Sequence, residues 1–382
     1  MLNTRIANKA DIKIIRDLWD EFYGYSENFT DWFFNRAFYS QNSIVGTDDA
    51  KIAASSGFIP YKIKLNDKEI NCAYIAGLVI MPEYKDENNI KQMIADTLLT
   101  INASDTPISL IMPHNYRLYE QYGFSTCYTF KQYNITPNDI PDFKIRGRIE
   151  RHKISDKVIA DLNDIYRSFM ADKNAWLIRS EENWKLILED LIGNFGGKIA
   201  IRYNEQNIAD GYILYVIRDG QMGIYEMAYK DRTSYESLMG YIKAHDTQVG
   251  KITIKASSND LSYLDFCDNR TSAGIYPFVM ARINNVQMIL EQTVSSISSP
   301  VKLQIIDRLI EDNNRTFLID ENGVEITEEE PDVTTDIGTL AMLVMGFIGT
   351  KEAYKLGLIG KNAEILNELF AKRDNYINML CF

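Results

Sequence analysis

Residues 72–101 read CAYIAGLVIMPEYKDENNIKQMIADTLLTI: an apolar run, a polar loop without glycine, and a stretch that reads as a helix. SLIMP, 109–113, then supplies a short apolar strand. Strand, loop, helix and strand in that order need a crossover connection, which points to a mixed α/β layer. The segment before it fits the same layer. In ADIKIIRDLWDEFY, Ile12, Ile15, Leu18, Trp19 and Phe22 recur at helical spacing, and 43–82 alternates apolar residues around a turn-forming LNDKE, which reads as a hairpin running into a further strand.

The middle of the chain repeats the order. DKVIADLNDIYRSFM and EENWKLILEDLI read as helices, KIAIRYNEQNIADGYILYVI as a hairpin with a polar turn, then YESLMGYIKAH as a helix and KITIKAS as a strand. PNDIPDFKIRG, 137–147, reads as the linker between the two copies. No repeat is visible at the level of residues, so the duplication rests on element order, and the second copy has no phosphate-loop candidate at the matching place. Beyond VMARINNVQMILEQ the pattern changes to strands in VKLQIID and TFLID, an acidic turn, and helices in TLAMLVMGF, TKEAYKLG and NAEILNELFAK. The expected fold class is α+β (mixed α/β), with domains at 1–143, 144–283 and 284–382.

Charge narrows the functional classes. With 53 acidic against 41 basic residues, the net charge of −12 repels nucleic acid and anionic membranes, and no basic patch offsets it. The four cysteines lie far apart and the three histidines follow no ligand spacing, so no metal site is expected and reduced thiols fit a cytoplasmic protein. The first residues hold no apolar stretch of signal-peptide or membrane length.

PHNYRLYEQYGF at 113–124, VMARINNVQMILE at 279–291, DIGTLAMLVMGF at 336–347 and the ending LFAKRDNYINMLCF, in this order, resemble the Eis (enhanced intracellular survival) family of acetyltransferases. That resemblance covers the whole chain. It implies two GNAT-like acyltransferase domains followed by a sterol-carrier-protein-like domain. It also implies acetyl transfer from acetyl-CoA to an amine of a small-molecule or peptide acceptor, and a homo-oligomer such as a trimer or hexamer.

The resemblance places a tyrosine proton donor at Tyr119, where a departing thiolate would need a proton. It places the base at the carboxylate of Phe382. Leu78, Val79 and Ile80 match the strand whose backbone pairs with the pantetheine arm and polarises the thioester carbonyl. His114 and Asn115 match a further cofactor-contacting pair. The pyrophosphate loop falls on Lys85, Asp86, Glu87, Asn88, Asn89, Ile90 and Lys91. In the family this loop carries a basic residue and then glycines, whereas here Asp86, Glu87, Asn88 and Asn89 stand in those places and Ile90 is expected to begin the helix. Two readings stay open: a site whose backbone N–H groups still hold pyrophosphate, or a plain helix cap on a non-catalytic ligand-binding protein with a degenerate CoA loop.

Overall fold

The computed structural model describes residues 1–266, 272–294, 297–360 and 362–378. They form two compact units, one of Met1–Tyr128 with Phe278–Asn375, the other of Thr129–Pro277 with the segment from Tyr376 onward.

In the first unit a mixed sheet runs in the order Asn3–Ile6, Ser43–Asp48, Lys51–Leu65, Lys68–Ile80, Ile108–Ile111, Met280–Ile283, Ser125–Thr126. The long hairpin turns at Asn66 and Asp67, both with positive φ, which these two residue types tolerate better than most. Lys68–Ile80 and Ile108–Ile111 are parallel, and the helix Glu87–Asn102 joins them. Ile94, Leu98 and Ile101 of that helix pack on Ala73, Ile75, Ile111, Phe124 and Met280. The same unit carries a four-stranded sheet, Gly323–Thr327, Thr316–Asp320, Val301–Ile306, Val333–Asp336, and the helix Ile337–Val344, whose start is capped by Asp336 accepting from Gly338 and Thr339 N–H.

The second unit builds a seven-stranded sheet in the order Ser272–Pro277, Thr129–Ile135, Lys251–Ser257, Gln221–Tyr229, Ala209–Arg218, Lys198–Tyr203, Arg148–His152. Its parallel pair among the described residues, Gln221–Tyr229 with Lys251–Ser257, is joined by the helix Arg232–Lys243. Leu238, Met239 and Ile242 of that helix pack on Ile213, Tyr215, Ile224, Ile252 and Tyr133. The element order read from the sequence thus recurs in both units. The strand after each parallel pair comes from a distant part of the chain: Met280–Ile283 in the first unit, Thr129–Ile135 in the second.

Three local expectations change. Glu27–Arg36 is a helix that the sequence reading passed over, capped by Ser26 and burying Phe29 and Phe33 four residues apart. Residues 137–147 are no free linker, since Ile140 is buried and Lys243 donates to Ile140 O at 2.7 Å and to Asp142 at 2.6 Å. The helix expected over NAEILNELFAK shortens to a 3-10 turn, Ala363–Leu366, and a few residues later Arg373 N–H donates to Gly346 O at 2.7 Å.

Asp190, on the helix Glu181–Gly193, is 1% exposed, accepts from Asn194 through one oxygen and has no partner for the other among the described residues. Burial pushes its carboxyl up to about 6. Because the folded value lies above the unfolded one, the folded state favours the protonated acid. The stability tied to that proton is complete below the usual carboxylate range and is lost as pH rises through about 6. Asp190→Asn should therefore stabilise the protein at pH 8 by up to about 2–3 kcal/mol and not at all near pH 4. Thermal melts at the two pH values check this.

Candidate active site

The strand Lys68–Ile80 is broken by a bulge: Gly57 faces Ala76 and Ser55 faces Val79, so Ser56 opposes both Gly77 and Leu78. Gly77 takes φ +69°, and a Cβ there would lie 1.9 Å from the Trp19 ring, so glycine is required twice over. Trp19 and Tyr23 come from the helix Ile12–Tyr23; Trp19 stacks on Phe33 at 4.5 Å, and the Tyr23 hydroxyl donates to Leu78 O at 3.1 Å.

The parallel neighbour pairs with this strand only at Cys72, Ala73 and Tyr74. Beyond them, residues 75–80 have no strand partner on that side among the described residues. Met81 N–H donates to Ala53 O, so by the two-residue alternation Val79 faces the paired strand while Leu78 and Ile80 turn their N–H groups to the open side. Of the three backbone positions expected to meet a cofactor, two face the opening and Val79 faces the sheet.

Tyr119 lies on the short helix Tyr116–Glu120 and packs edge-on against Phe124 with ring centroids 5.8 Å apart. It is half-buried, and its hydroxyl has no hydrogen-bond partner among the described residues. Burial pushes the phenol up to about 12. Burial also raises the Tyr23 phenol, with the neighbouring Tyr119 as a second cause, so the two hydroxyls are near enough to influence one another. Tyr116 donates to Phe278 O at 3.0 Å, which anchors the helix that carries Tyr119. His114 is exposed, and Asn115 caps the same helix by accepting from Leu118 N–H.

At the loop, the helix begins at Glu87 rather than at Ile90, because Asp86 is its cap. One Asp86 oxygen accepts from Asn89 N–H at 2.9 Å and the other from Asn89 Nδ2 at 2.8 Å. Asn89, 4% exposed, also donates to Tyr84 O and accepts from Leu2 N–H, so it braces the loop against the first strand instead of facing solvent. Lys85, Glu87, Asn88 and Lys91 are exposed. The Glu87 and Asn88 N–H groups have no partner among the described residues, and neither lysine has an ion pair there. A helix start with two unclaimed donors and two flanking cations is able to receive an anion, with the Glu87 carboxylate opposing it.

Phe382 lies outside the described residues. The chain leading to it is held within the second unit: Tyr376 and Ile377 are buried, Asn378 O accepts from Arg179 at 2.7 Å, and Asn378 Nδ2 donates to Tyr225 O at 2.7 Å. Arg179 is itself locked to Glu226 by two bonds of 2.7 and 2.8 Å. Among the described residues no three His, Cys, Asp or Glu side chains group as a metal site, and no helix is long and apolar enough to cross a membrane.

Sequence reasoning missed Trp19, Tyr23 and Gly77. The signal was there in part, since a lone glycine inside an apolar strand pattern marks a bulge or a close approach.

Residues 3–127 and 175–283 match the acetyltransferase (GNAT) domain, in two different families of that description, and 286–378 matches the sterol carrier protein domain. No curated protein matches the sequence. A conserved protein of unknown function from Enterococcus faecalis, described as a probable N-acyltransferase, has the same fold with TM-score 0.86 at 22% identity over 99% of both chains. Eis1 from Mycobacterium abscessus gives 0.79 at 15% identity over 98% of this chain and 99% of that one. N-myristoyltransferase from Saccharomyces cerevisiae with bound myristoyl-CoA gives 0.51 at 12% identity, covering 74% and 79%. The resemblance read from sequence holds for the fold and for the order of the three domains.

Proposed function

We propose that this chain, two GNAT acetyltransferase domains followed by a sterol carrier domain in the fold of Eis1, is an acyltransferase that moves an acetyl group from acetyl-CoA to an amine. The observation that carries the reading is the strand Lys68–Ile80, opened past Tyr74 and bulged at Gly77, with the Tyr23 hydroxyl bonded to Leu78 O beside the bulge. Acetyl-CoA supplies the activated acetyl group. With acetyl-CoA bound, the Leu78 and Ile80 N–H groups would stabilise charge developing on the carbonyl oxygen. Tyr119 is the acid that protonates the departing sulfur, and its raised pKa keeps it protonated at neutral pH. The base is assigned to the Phe382 carboxylate on the family resemblance. Tyr23 and Tyr25 stack on one another at 5.4 Å against the buried Trp19 and Phe29, and the rings they present suit an acceptor amine with an apolar body.

The loop favours a second reading, a GNAT-fold protein that binds a ligand without catalysis, because Asp86 is spent on the helix cap and Glu87 opposes phosphate. Titration of acetyl-CoA by calorimetry separates the two. The enzyme reading expects saturable binding and CoA release that depends on an added amine; absence of acetyl-CoA binding leaves only the second. If pyrophosphate sits at Glu87 and Asn88, Lys85→Ala should weaken acetyl-CoA binding and Glu87→Gln should tighten it. Each change should be about two- to fivefold, the usual worth of a charge at a helix start, and both should shrink as salt rises.

A further inference from the structure

A cavity of about 580 Å³ lies in the second unit, among the end of the helix Asp156–Phe169, the end of the strand Gln221–Tyr229, the start of the helix Arg232–Lys243 and the turn at 260–265. That is a usual size for a small-molecule site. Its charges are not balanced. Each cation that reaches it is already matched: Lys173 by Asp172 at 2.8 Å, Lys230 by Asp164, and Arg232 by Asp265 at 2.7 Å and Glu236 at 2.9 Å. Asp231 and Asp260 also line it, and neither has an ion-pair partner among the described residues. Asp231 caps the helix with Oδ1, and Asp260 accepts from Tyr133 and from Ser262 N–H, also through Oδ1. The second oxygen of each carboxylate is left without a partner among the described residues.

Three aromatic rings complete the wall. Phe169 and Tyr229 have centroids 5.1 Å apart, as do Tyr229 and Tyr235. Tyr235 is 2% exposed, and its hydroxyl has no hydrogen-bond partner among the described residues. A buried hydroxyl left unpaired beside a cavity is costly unless something in the cavity answers it. Lys173 already lies over the Phe169 ring at 4.5 Å and Arg232 over the Tyr235 ring at 5.0 Å, which leaves Tyr229 as the ring with no cation over it among the described residues; its electron-rich face and the unpaired carboxylates together select positive charge on a partly apolar body.

We propose that this cavity binds an organic cation, an ammonium group carried on an aromatic or aliphatic body. It shares no residue with the candidate acyl-transfer site and does not depend on that reading.

Calorimetric titration of the whole protein with phenethylamine, choline and spermidine tests it, with 2-phenylethanol as the neutral counterpart of the first. At least one amine should bind, and phenethylamine should bind about tenfold more tightly than the alcohol, the scale expected when a ring cage and a carboxylate both act on the charge. Asp260→Asn and, separately, Tyr229→Leu should each weaken the amine severalfold in protein whose melting temperature is retained. Tyr235→Phe keeps the ring and should also lose affinity. The proposal is overturned if no amine binds at millimolar concentration, if the alcohol binds as well as the amine, or if all three variants bind as wild type does.

Discussion

Replacing Tyr119 with Phe is expected to lower kcat about 100-fold, within the usual worth of a general acid, while the Kd for acetyl-CoA and the melting temperature stay close to wild type. The reason lies in what the hydroxyl does not do. It has no hydrogen-bond partner among the described residues, so its removal orphans nothing, and the ring keeps its edge contact with Phe124. With the phenol pushed up to about 12, the donor stays protonated across the neutral and mildly alkaline range. Any loss of activity on the acid side must then come from another group, such as the amine or its base. A loss on the alkaline side attributable to Tyr119 should begin only as pH approaches about 12. Steady-state CoA release against pH, for wild type and Tyr119→Phe, measures both. An unchanged kcat in the variant would make Tyr119 a packing residue.

The second large effect is on stability. Arg282 is fully buried and donates to both oxygens of Asp307 at 2.7 and 2.8 Å, to Tyr122 O at 2.8 Å and to Ile283 O at 2.5 Å. Burial works against the guanidinium charge, and Asp307 offsets that. Asp307 is 3% exposed and also accepts from Leu309 N–H, so it cannot turn to water when its partner is removed. Arg282→Leu leaves a buried carboxylate without a counter-charge and should cost about 3–5 kcal/mol. Arg282→Leu combined with Asp307→Asn should recover part of it, because the uncompensated charge is gone and an amide oxygen remains for the Leu309 and Ile310 N–H groups, while the new NH2 loses the bond that Asp307 accepts from Asn313 Nδ2. Urea midpoints of the three proteins decide the matter. A single variant as stable as wild type would show that the pair contributes packing alone.

Much of this was legible in advance because periodicity reports which face of an element is buried. The two long hairpins, the crossover helices and the short strand before Tyr119 all follow from it. What escaped was set by partners far away in sequence. Glu27–Arg36 carries several aromatic residues side by side, which masks its helical period, and only Ser26 with Phe29 and Phe33 betrays it. The role of Gly77 depends on Trp19, 58 positions earlier, filling the space a side chain would need. The loop was legible in composition but not in consequence: Asp86 and Asn89 look like two candidates for one site, whereas each uses its polar atoms on the other and on the loop itself.

The exchange of strands between distant stretches of chain also sets an order of events during synthesis. Ile108–Ile111 finds its antiparallel neighbour only when Met280–Ile283 has left the ribosome, more than 160 residues later. At about 5–20 residues per second, the first sheet waits roughly ten seconds or more with a strand edge uncovered. A nascent chain in that state is a template for pairing with another chain. The demand for chaperone protection should therefore peak before residue 280 emerges and fall sharply after it, so ribosome-bound chains arrested on either side of that point should differ in aggregation.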